Sequence, residues 1–169
     1  MVPELKEVYT ASFPSPLGLL TAASDGTHIT GLWMKGQKYD MYGLPVQTQD
    51  GNELSVIIQL KQLLECYFCG KPIDFSGIPL KTQGTPFQKE VWKALLDIPY
   101  GTTITYGELA RRIGRETASR AVGAAVGRNP ISILIPCHRV VGRNQSLTGY
   151  AAGIERKQHL LNIEKIGTE

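Results

Sequence analysis

The first third of the chain alternates apolar and polar positions over short stretches. Residues 7–13, 19–23 and 28–34 show the alternation that is typical of half-buried strands, and residues 14–18 and Asp25-Gly26 provide Gly- and Pro-containing turns between them. Connections this short predict an antiparallel meander. Residues 35–51 are polar and rich in Gly, Gln and Asp, which predicts a loop.

A helical period replaces the alternation in the next segment. From Glu53 to Cys69 apolar residues recur at the spacing of one helix face, and Gly70 supplies a stop. The apolar positions are Val56, Ile57, Leu60, Leu63, Leu64, Tyr67 and Phe68. The pattern predicts one helix packed on the sheet.

The second half of the chain carries several helix-start signals. After a predicted linker at 77–84, residues 85–88 combine an N-cap threonine, a proline and a glutamine three positions on. A second start at 105–108 opens a short helix that Gly114 closes, and a third helix covers 117–126. Two short helices joined by a tight turn predict a helix-turn-helix. The predicted buried face of the first helix is Phe87, Val91, Leu95 and Ile98.

These elements predict an α/β fold in two parts. Residues 1–80 form an antiparallel sheet plus a helix, and residues 81–169 form a mostly helical domain. The 169 residues and 42% hydrophobic content suit a packed globular protein. Apolar runs all stay far below the roughly 20 residues of a membrane helix, and a signal-peptide pattern is missing, so we expect a cytoplasmic protein. With three cysteines, reduced thiols are expected.

Charge is divided unevenly between the two parts. Residues 1–84 hold 6 Lys and Arg against 8 Asp and Glu, a net of −2, whereas residues 85–169 hold 12 against 7, a net of +5. A basic, Arg-rich half suits a polyanion, because Lys and Arg contacts to phosphates provide the sequence-independent part of DNA affinity. An ordinary solvated surface is the alternative explanation for so small an excess.

The run Ile135-Pro136-Cys137-His138-Arg139 places a thiol beside an imidazole. The thiolate is the reactive form of cysteine, so a nucleophilic cysteine needs a base or a cation nearby. Adjacent side chains of a strand point to opposite faces, however. The pair can therefore meet only if the backbone turns there or if a water molecule bridges the two groups. Alone, the pair is a weak signal.

Cys66 and Cys69 form a C-x-x-C that we interpret as structural. A zinc site would need a second pair of ligands, and His28 and His159 are badly spaced candidates. Redox motifs of this kind open a helix, where the dipole lowers the thiol pKa, but this one closes a helix. We expect two buried cysteines and no metal.

Further motifs surround the Cys-His pair in a distinctive order. They are Thr105-Tyr106-Gly107-Glu108, Ser119-Arg120-Ala121-Val122-Gly123, Arg128-Asn129-Pro130, Pro136-Cys137-His138-Arg139 and Gly149-Tyr150-Ala151-Ala152-Gly153. In this order and spacing the chain resembles the O6-alkylguanine-DNA alkyltransferases. The resemblance is dense from Thr85 to Lys165 and thin before that. It implies a ribonuclease-H-like N-terminal domain and repair of O6-alkylguanine in double-stranded DNA. The alkyl group would pass irreversibly to Cys137, once per protein, after nucleotide flipping and without a cofactor.

The resemblance also implies catalytic roles. A hydrogen-bonded chain would run from Glu164 through His138 and a water molecule to Cys137, Tyr106 would place its hydroxyl near the purine ring nitrogen, and Asn129 would tie the helix-turn-helix to the cysteine segment. The residues give separate support for Glu164. Leu160 and Leu161 lie one helical turn before it on the expected buried face, so its carboxylate should meet the core and need a partner.

For DNA, the resemblance implies minor-groove binding through the helix-turn-helix. Arg120 would enter the duplex in place of the flipped nucleotide, and Tyr106 would crowd the phosphate. Simpler alternatives are a phosphate contact or surface ion pair for Arg120 and a half-buried helix-start aromatic for Tyr106. Further contacts would come from Thr105, Ser119, Ala121 and Arg128. The small side chains of the recognition helix offer few groups to distinguish bases, although tight helix packing would also explain them.

The substrate pocket implied by the resemblance is built mostly from backbone groups. Carbonyls of Cys137 and Val140 would face the guanine amine, and the amide of Ala151 would face the guanine oxygen. Tyr150 would form a wall, and Pro136 belongs to the same set. Ala152 stands where the family usually has glycine and Ala151 where some members carry serine, so both bear on the width of the pocket.

Two other functions fit the same residues. One is a protein that binds alkylated bases without repairing them, although such relatives lack the cysteine. The other is a cysteine hydrolase with a Cys137-His138-Glu164 triad, which would process many substrates per protein. We expect a monomer, with cooperative binding on DNA left open.

Overall fold

The computed structural model describes residues 7–147 and 149–164. Its N-terminal sheet contains β1 (Tyr9–Phe13), β2 (Leu20–Ser24), β3 (Ile29–Met34) and β4 (Gln49–Asp50), in the order β3-β2-β1-β4. The pairs β1–β2 and β2–β3 are antiparallel. The predicted meander is therefore confirmed.

The edge strand β4 corrects the prediction of a loop across residues 35–51. It pairs with β1 in parallel, so the sheet is not purely antiparallel. Two exposed residues carry no alternation, and the pairing rests on backbone bonds, from Gln49 N to Val8 O at 2.8 Å and from Gly51 N to Thr10 O at 2.8 Å. Backbone pairing of this kind leaves no pattern in the side chains, so β4 could not be predicted from the sequence.

Helix α1 (Ser55–Phe68) follows the predicted period closely. It buries Val56, Ile57, Leu60, Leu64 and Tyr67 within the core that the sheet and the C-terminal helices share. Cys69 caps the helix, and Gly70 adopts a φ of +88°. That left-handed conformation favours glycine and ends the helix.

The C-terminal part contains short helices around a two-stranded parallel ladder. In chain order its elements are α2 (Pro86–Leu95), β5 (Ile104–Thr105), α3 (Tyr106–Arg112), α4 (Ser119–Gly127), β6 (Val140–Val141) and α5 (Ile154–Ile163). Thr85 and Gln88 form the predicted capping box of α2. Helices α3 and α4 form the predicted helix-turn-helix pair. Ile98 is buried as predicted, although it lies beyond the end of α2.

The segment before Cys137 joins the two parts. Leu32 N donates to Pro130 O at 2.9 Å and Ser132 N donates to Leu32 O at 3.0 Å, so this segment continues the edge of the sheet beside β3. Every residue from Ile131 to Val141 is buried. The cysteine is thus fixed between the sheet and the helices. Within 7–147 and 149–164, the helices are too short and too polar to cross a bilayer.

Candidate active site

Cys137 begins a single 3-10 turn that runs to Arg139 and follows directly on Pro136. The backbone therefore turns between the thiol and the imidazole. A turn was one of the two ways in which neighbouring side chains could meet, the other being a bridging water molecule. Cys137 is 5% exposed and His138 is 0% exposed. No direct hydrogen bond joins the two side chains, and among the described residues none bonds to His138 Nδ1.

The carboxylate of Glu164 is the centre of a buried polar cluster. Glu164 Oε2 accepts from Tyr67 Oη at 2.5 Å and lies 2.6 Å from His138 Nε2. Arg139 donates through Nε to Oε1 at 2.8 Å and through Nη2 to Oε2 at 3.2 Å, and Gly101 N reaches Oε1 at 3.1 Å. Glu164 is 3% exposed, so the prediction that its carboxylate meets the core is confirmed.

Opposing effects set the pKa values in this cluster. Burial alone would raise the pKa of Glu164, but hydrogen bonds and charge from His138, with hydrogen bonds from Arg139 and Tyr67, lower it to about 2. Burial lowers the pKa of His138, against the opposing effect of Glu164. The site therefore holds an ionised carboxylate and an imidazole that is neutral at pH 7.

We expect Glu164 to make the protein acid-sensitive over a defined range. Its pKa in the folded state is about 2 against an ordinary value of 4.5, so its contribution to stability is full above pH 4.5 and is lost as the pH falls towards 2. Urea unfolding across this range should show a steeper loss of unfolding free energy in the wild type than in Glu164→Gln. If the unfolding free energy fell with pH equally in both proteins, Glu164 would not be the group that causes the acid sensitivity. Asp25 also has a pKa of about 2, but it is present in both proteins, so its contribution to the pH dependence is the same in each.

The thiol of Cys137 is protonated in the resting site. Burial raises its pKa, although the Asn129 side chain and the charge of Lys157 oppose that effect. The hydroxyl of Tyr150 is also buried, and burial together with the charge of Cys137 raises its pKa. A protonated thiol beside a neutral imidazole can react only after proton transfer, so the arrangement calls for a general base.

Asn129 bonds two backbone groups in the segment that leads to Cys137. Its Nδ2 donates to Ile135 O at 2.7 Å, and its Oδ1 accepts from Ile131 N at 2.9 Å. These two bonds lie within the loop between α4 and the 3-10 turn. Asn129 is buried.

Lys157 is a buried cation that the sequence analysis did not identify. Its Nζ donates to Val140 O at 2.5 Å and lies 5.9 Å from the ring centres of both Tyr106 and Tyr150. Burial lowers its pKa to about 8, although the charge of Cys137 opposes the shift. The carbonyl of Val140, expected to face guanine, is therefore already bonded to an ammonium group.

Tyr106, at the start of α3, lies next to Gly123 of α4 and next to Gly149. Thr105 caps the helix by accepting from Glu108 N at 3.1 Å, and Tyr106 is half-buried. A Cβ added at Gly149 would lie 3.3 Å from Tyr106 Oη, and one at Gly123 would lie 3.8 Å from the ring. Because neither glycine has a side chain, the Tyr106 ring can lie close to the backbone at both positions.

The expected DNA-binding residues do not all lie free on the surface of α4. Ser119, Arg120 and Ala121 are exposed at its start, and within the described residues Arg120 has no hydrogen-bond or ion-pair partner. Arg128 instead packs against two tyrosines, with its guanidinium carbon 4.1 Å from the ring centre of Tyr39 and 4.9 Å from that of Tyr42.

The expected pocket residues separate in the structure. Tyr150 and Ala151 line a cavity of about 720 Å³ together with one face of α4. Pro136 lines a different cavity of about 620 Å³ with Tyr100 and Arg139. Val140 lines neither of these cavities, and its carbonyl contacts Lys157.

The prediction of buried C-x-x-C cysteines was wrong. Cys66 is half-buried and Cys69 is exposed, because the motif spans the last helical turn and the cap, where the chain leaves the core. A group of three metal-ligating side chains is missing from the part of the chain that the structure describes.

Three residues of the site were not predicted from the sequence. Tyr67 was assigned only to the core face of a helix, and Arg139 was seen only as part of the motif. Lys157 did carry a signal, because Lys157, Leu160, Leu161 and Glu164 have the spacing of one helix face. A lysine on an apolar face next to a buried glutamate indicates a buried charge cluster.

Comparison with known proteins gives consistent matches over nearly the whole chain. Residues 8–82 match the family model "6-O-methylguanine DNA methyltransferase, ribonuclease-like domain" and residues 86–166 match "6-O-methylguanine DNA methyltransferase, DNA binding domain". The methylated-DNA–protein-cysteine methyltransferase of Haemophilus influenzae is 46% identical over 94% of this chain and 87% of its own length. The constitutive enzyme of that name from Bacillus subtilis is 42% identical, over 94% and 96%.

Solved structures give the same picture. Mycobacterium tuberculosis OGT in complex with DNA superposes with a TM-score of 0.83 at 44% identity, over 93% of this chain and 92% of that one. The O6-methylguanine-DNA methyltransferase of Pyrococcus kodakaraensis is 24% identical with a TM-score of 0.66, which shows the shared fold.

Proposed function

Because the chain belongs to the 6-O-methylguanine DNA methyltransferase family, we propose that it repairs O6-alkylguanine in double-stranded DNA by moving the alkyl group onto Cys137. The observation that carries the proposal is the buried Cys137, with a neutral His138 held by an ionised Glu164 beside it. A buried thiol needs a nearby base to become a nucleophile at neutral pH, and the oriented imidazole of His138 is that base in this proposal.

The proposed reaction is a direct displacement at the alkyl carbon. His138 takes the thiol proton through bridging solvent, and the thiolate attacks as the bond from carbon to the guanine oxygen breaks. The electron pair passes to the guanine, which is protonated at its ring nitrogen by the Tyr106 hydroxyl. The products are an unmodified guanine and a thioether on Cys137. A thioether resists hydrolysis, so each protein molecule acts once.

Burial of the thiol supports nucleotide flipping as part of the proposal. A guanine stacked in a duplex cannot reach a sulfur that is 5% exposed on a turn between a sheet and helices. The base must leave the stack, and the exposed Arg120 at the start of α4 is the side chain proposed to fill the gap. In this division of the chain, residues 81–169 perform the chemistry and residues 1–80 support it.

We expect Arg120→Ala to slow transfer more than it weakens DNA binding. Without the side chain that fills the gap, the flipped state of the DNA is less stable. The single-turnover rate should therefore fall by about one to two orders of magnitude. Fluorescence anisotropy should show a much smaller loss of affinity, because the other Lys and Arg contacts to the phosphates remain. Lys93→Ala, which removes an exposed charge from α2, is the matched control. An equal loss of rate and affinity would point to a phosphate contact alone.

The function is tested by incubating the protein with a duplex that carries O6-methylguanine, followed by intact and peptide mass spectrometry. One added methyl group on Cys137, with no turnover beyond one per protein, is the expected result. Continued release of product would support a cysteine hydrolase, and stable binding without a change of mass would support a protein that only recognises the lesion. Either result would overturn the proposal.

The proposed reaction also bears on location. Cysteine thiols stay reduced in the cytoplasm, and we propose that the protein acts there.

A further inference from the structure

Residues 35–43, which we term the docking loop, connect the N-terminal sheet to the active-site side of the molecule. The loop leaves β3 and contacts the C-terminal part at three separate points. Arg156 Nη2 donates to Lys35 O at 2.8 Å, Lys38 N donates to Ala151 O at 2.9 Å, and Arg128 stacks on Tyr39 and Tyr42. A polar loop is thus held against the other half of the chain along its whole length.

The middle contact restrains residues 149–153, which we term the pocket loop. Within the described residues, Lys38 N is the one backbone donor outside the C-terminal part that reaches the pocket loop. The bond fixes the carbonyl of Ala151 and with it the plane of the peptide that leads to Ala152. The docking loop therefore sets the position of the pocket loop.

The aromatic contact holds the docking loop in a conformation that it would otherwise avoid. Tyr39 and Met41 have φ values of +62° and +55°, in the left-handed region that side chains other than glycine disfavour. The guanidinium of Arg128 lies over both tyrosine rings, and those two rings contact each other edge to face at 6.1 Å. Removing the Tyr39 ring deletes the closest of these contacts.

The two loops form one side of the cavity of about 720 Å³. Lys38 and Tyr39 line it together with the pocket loop, and the opposite side is the small-residue face of α4. That helix packs on α2 and α3, so displacing it would disrupt the contacts between these helices. The loop side is held by fewer contacts, chiefly the Lys38–Ala151 hydrogen bond and the stacking of Arg128.

We infer that the docking loop is a specificity-determining element, in which Tyr39 and the Lys38–Ala151 hydrogen bond hold the pocket loop inward and thereby favour small alkyl groups over bulky ones. The inference rests on the proposed function. In this inference the pocket loop accepts a methyl group where it stands and must be displaced to accept a benzyl group. Loosening the docking loop should therefore raise the rate for the bulky group and leave the methyl rate nearly unchanged.

The test measures single-turnover transfer at saturating DNA, with O6-methylguanine and O6-benzylguanine in the same duplex. For Tyr39→Ala we expect the benzyl-to-methyl rate ratio to rise about tenfold, since a cation–π contact and a restrained hydrogen bond each correspond to a factor of several. Tyr39→Phe keeps the ring and should keep the wild-type ratio. Met41→Ala is the matched control, because Met41 is exposed in the same loop and outside the stack.

Each outcome decides between the alternatives. An unchanged ratio in Tyr39→Ala, or an equal rise in Met41→Ala, overturns the inference and leaves the proposed function intact. Failure of the wild type to accept a methyl group overturns the proposed function itself. If Tyr39→Ala does not fold, Arg128→Gln removes the same stacking contact from the end of α4 and should also raise the ratio. An unchanged ratio in that variant would contradict the inference as well.

Discussion

Replacing Cys137 by serine is expected to leave a folded, DNA-binding protein that accepts no alkyl group. A serine hydroxyl has far too high a pKa for His138 to deprotonate it appreciably, and oxygen is a poor nucleophile towards a saturated carbon. The cost to stability should be modest, about 1–3 kcal/mol, because a hydroxyl is more costly to bury than a thiol. Peptide mass spectrometry after incubation with methylated duplex, and anisotropy with the same duplex, are the measurements.

Cys66 and Cys69 provide the control. Their exposure predicts that a free alkylating reagent such as iodoacetamide modifies Cys69 before the buried Cys137, whereas methylated DNA should modify Cys137 alone. Cys66→Ser and Cys69→Ser should therefore accept the methyl group as the wild type does. A methyl group found on either of these cysteines after incubation with DNA would contradict the assignment of the acceptor.

The second large effect is expected for Glu164→Gln. The glutamine keeps the shape of the side chain but removes the negative charge that Arg139 and His138 share inside the protein. Leaving the Arg139 guanidinium buried without its counterion should cost about 3–5 kcal/mol of unfolding free energy. For a chain of this size that corresponds to a fall in melting temperature of roughly 6–20 °C.

The same substitution should also slow methyl transfer, because His138 loses the group that orients its ring and raises its basicity. General-base catalysis commonly contributes about 10²–10⁴-fold, so a loss within that range is expected at a temperature where the variant is folded. Circular dichroism melting and quenched-flow transfer assays measure the two effects separately.

Two variants separate stability from chemistry in this cluster. Tyr67→Phe removes one hydrogen bond to Glu164 and keeps the His138 contact, so it should cost about 1 kcal/mol and leave the rate nearly unchanged. His138→Gln keeps the pair of Arg139 and Glu164 and should lose the rate with a smaller loss of stability. If Glu164→Gln or His138→Gln transferred the methyl group at the wild-type rate, the imidazole could not be the base.

These expectations follow from how the cluster is placed in the fold. The carboxylate of Glu164 takes bonds from α1, from the turn after α2, and from the 3-10 turn that carries Cys137. The nucleophile is therefore held by contacts from both halves of the chain.

Much of the local structure was predictable from the sequence. The meander β1–β3, the helix α1 and the capped start of α2 depend on periods of two or 3.6 residues and on caps within one turn, and such patterns act between residues close in the chain. The segment Pro136-Cys137-His138-Arg139 predicted the nucleophile that we propose, because soft nucleophilic chemistry at neutral pH needs few residue types and they stand side by side. The buried side of Glu164 followed from its spacing to Leu160 and Leu161.

Tertiary structure alone decided which distant groups meet. Tyr67 and Glu164 are 97 positions apart, and nothing in the local sequence of α1 marks its tyrosine as the partner of a carboxylate. The backbone bond from Lys38 to Ala151 leaves no trace in side-chain pattern, and the parallel pairing of β4 with β1 leaves none either. Side-chain periodicity records which face of an element is buried. It carries no record of which element covers that face, since that is settled only when the whole core packs and its buried polar groups find partners.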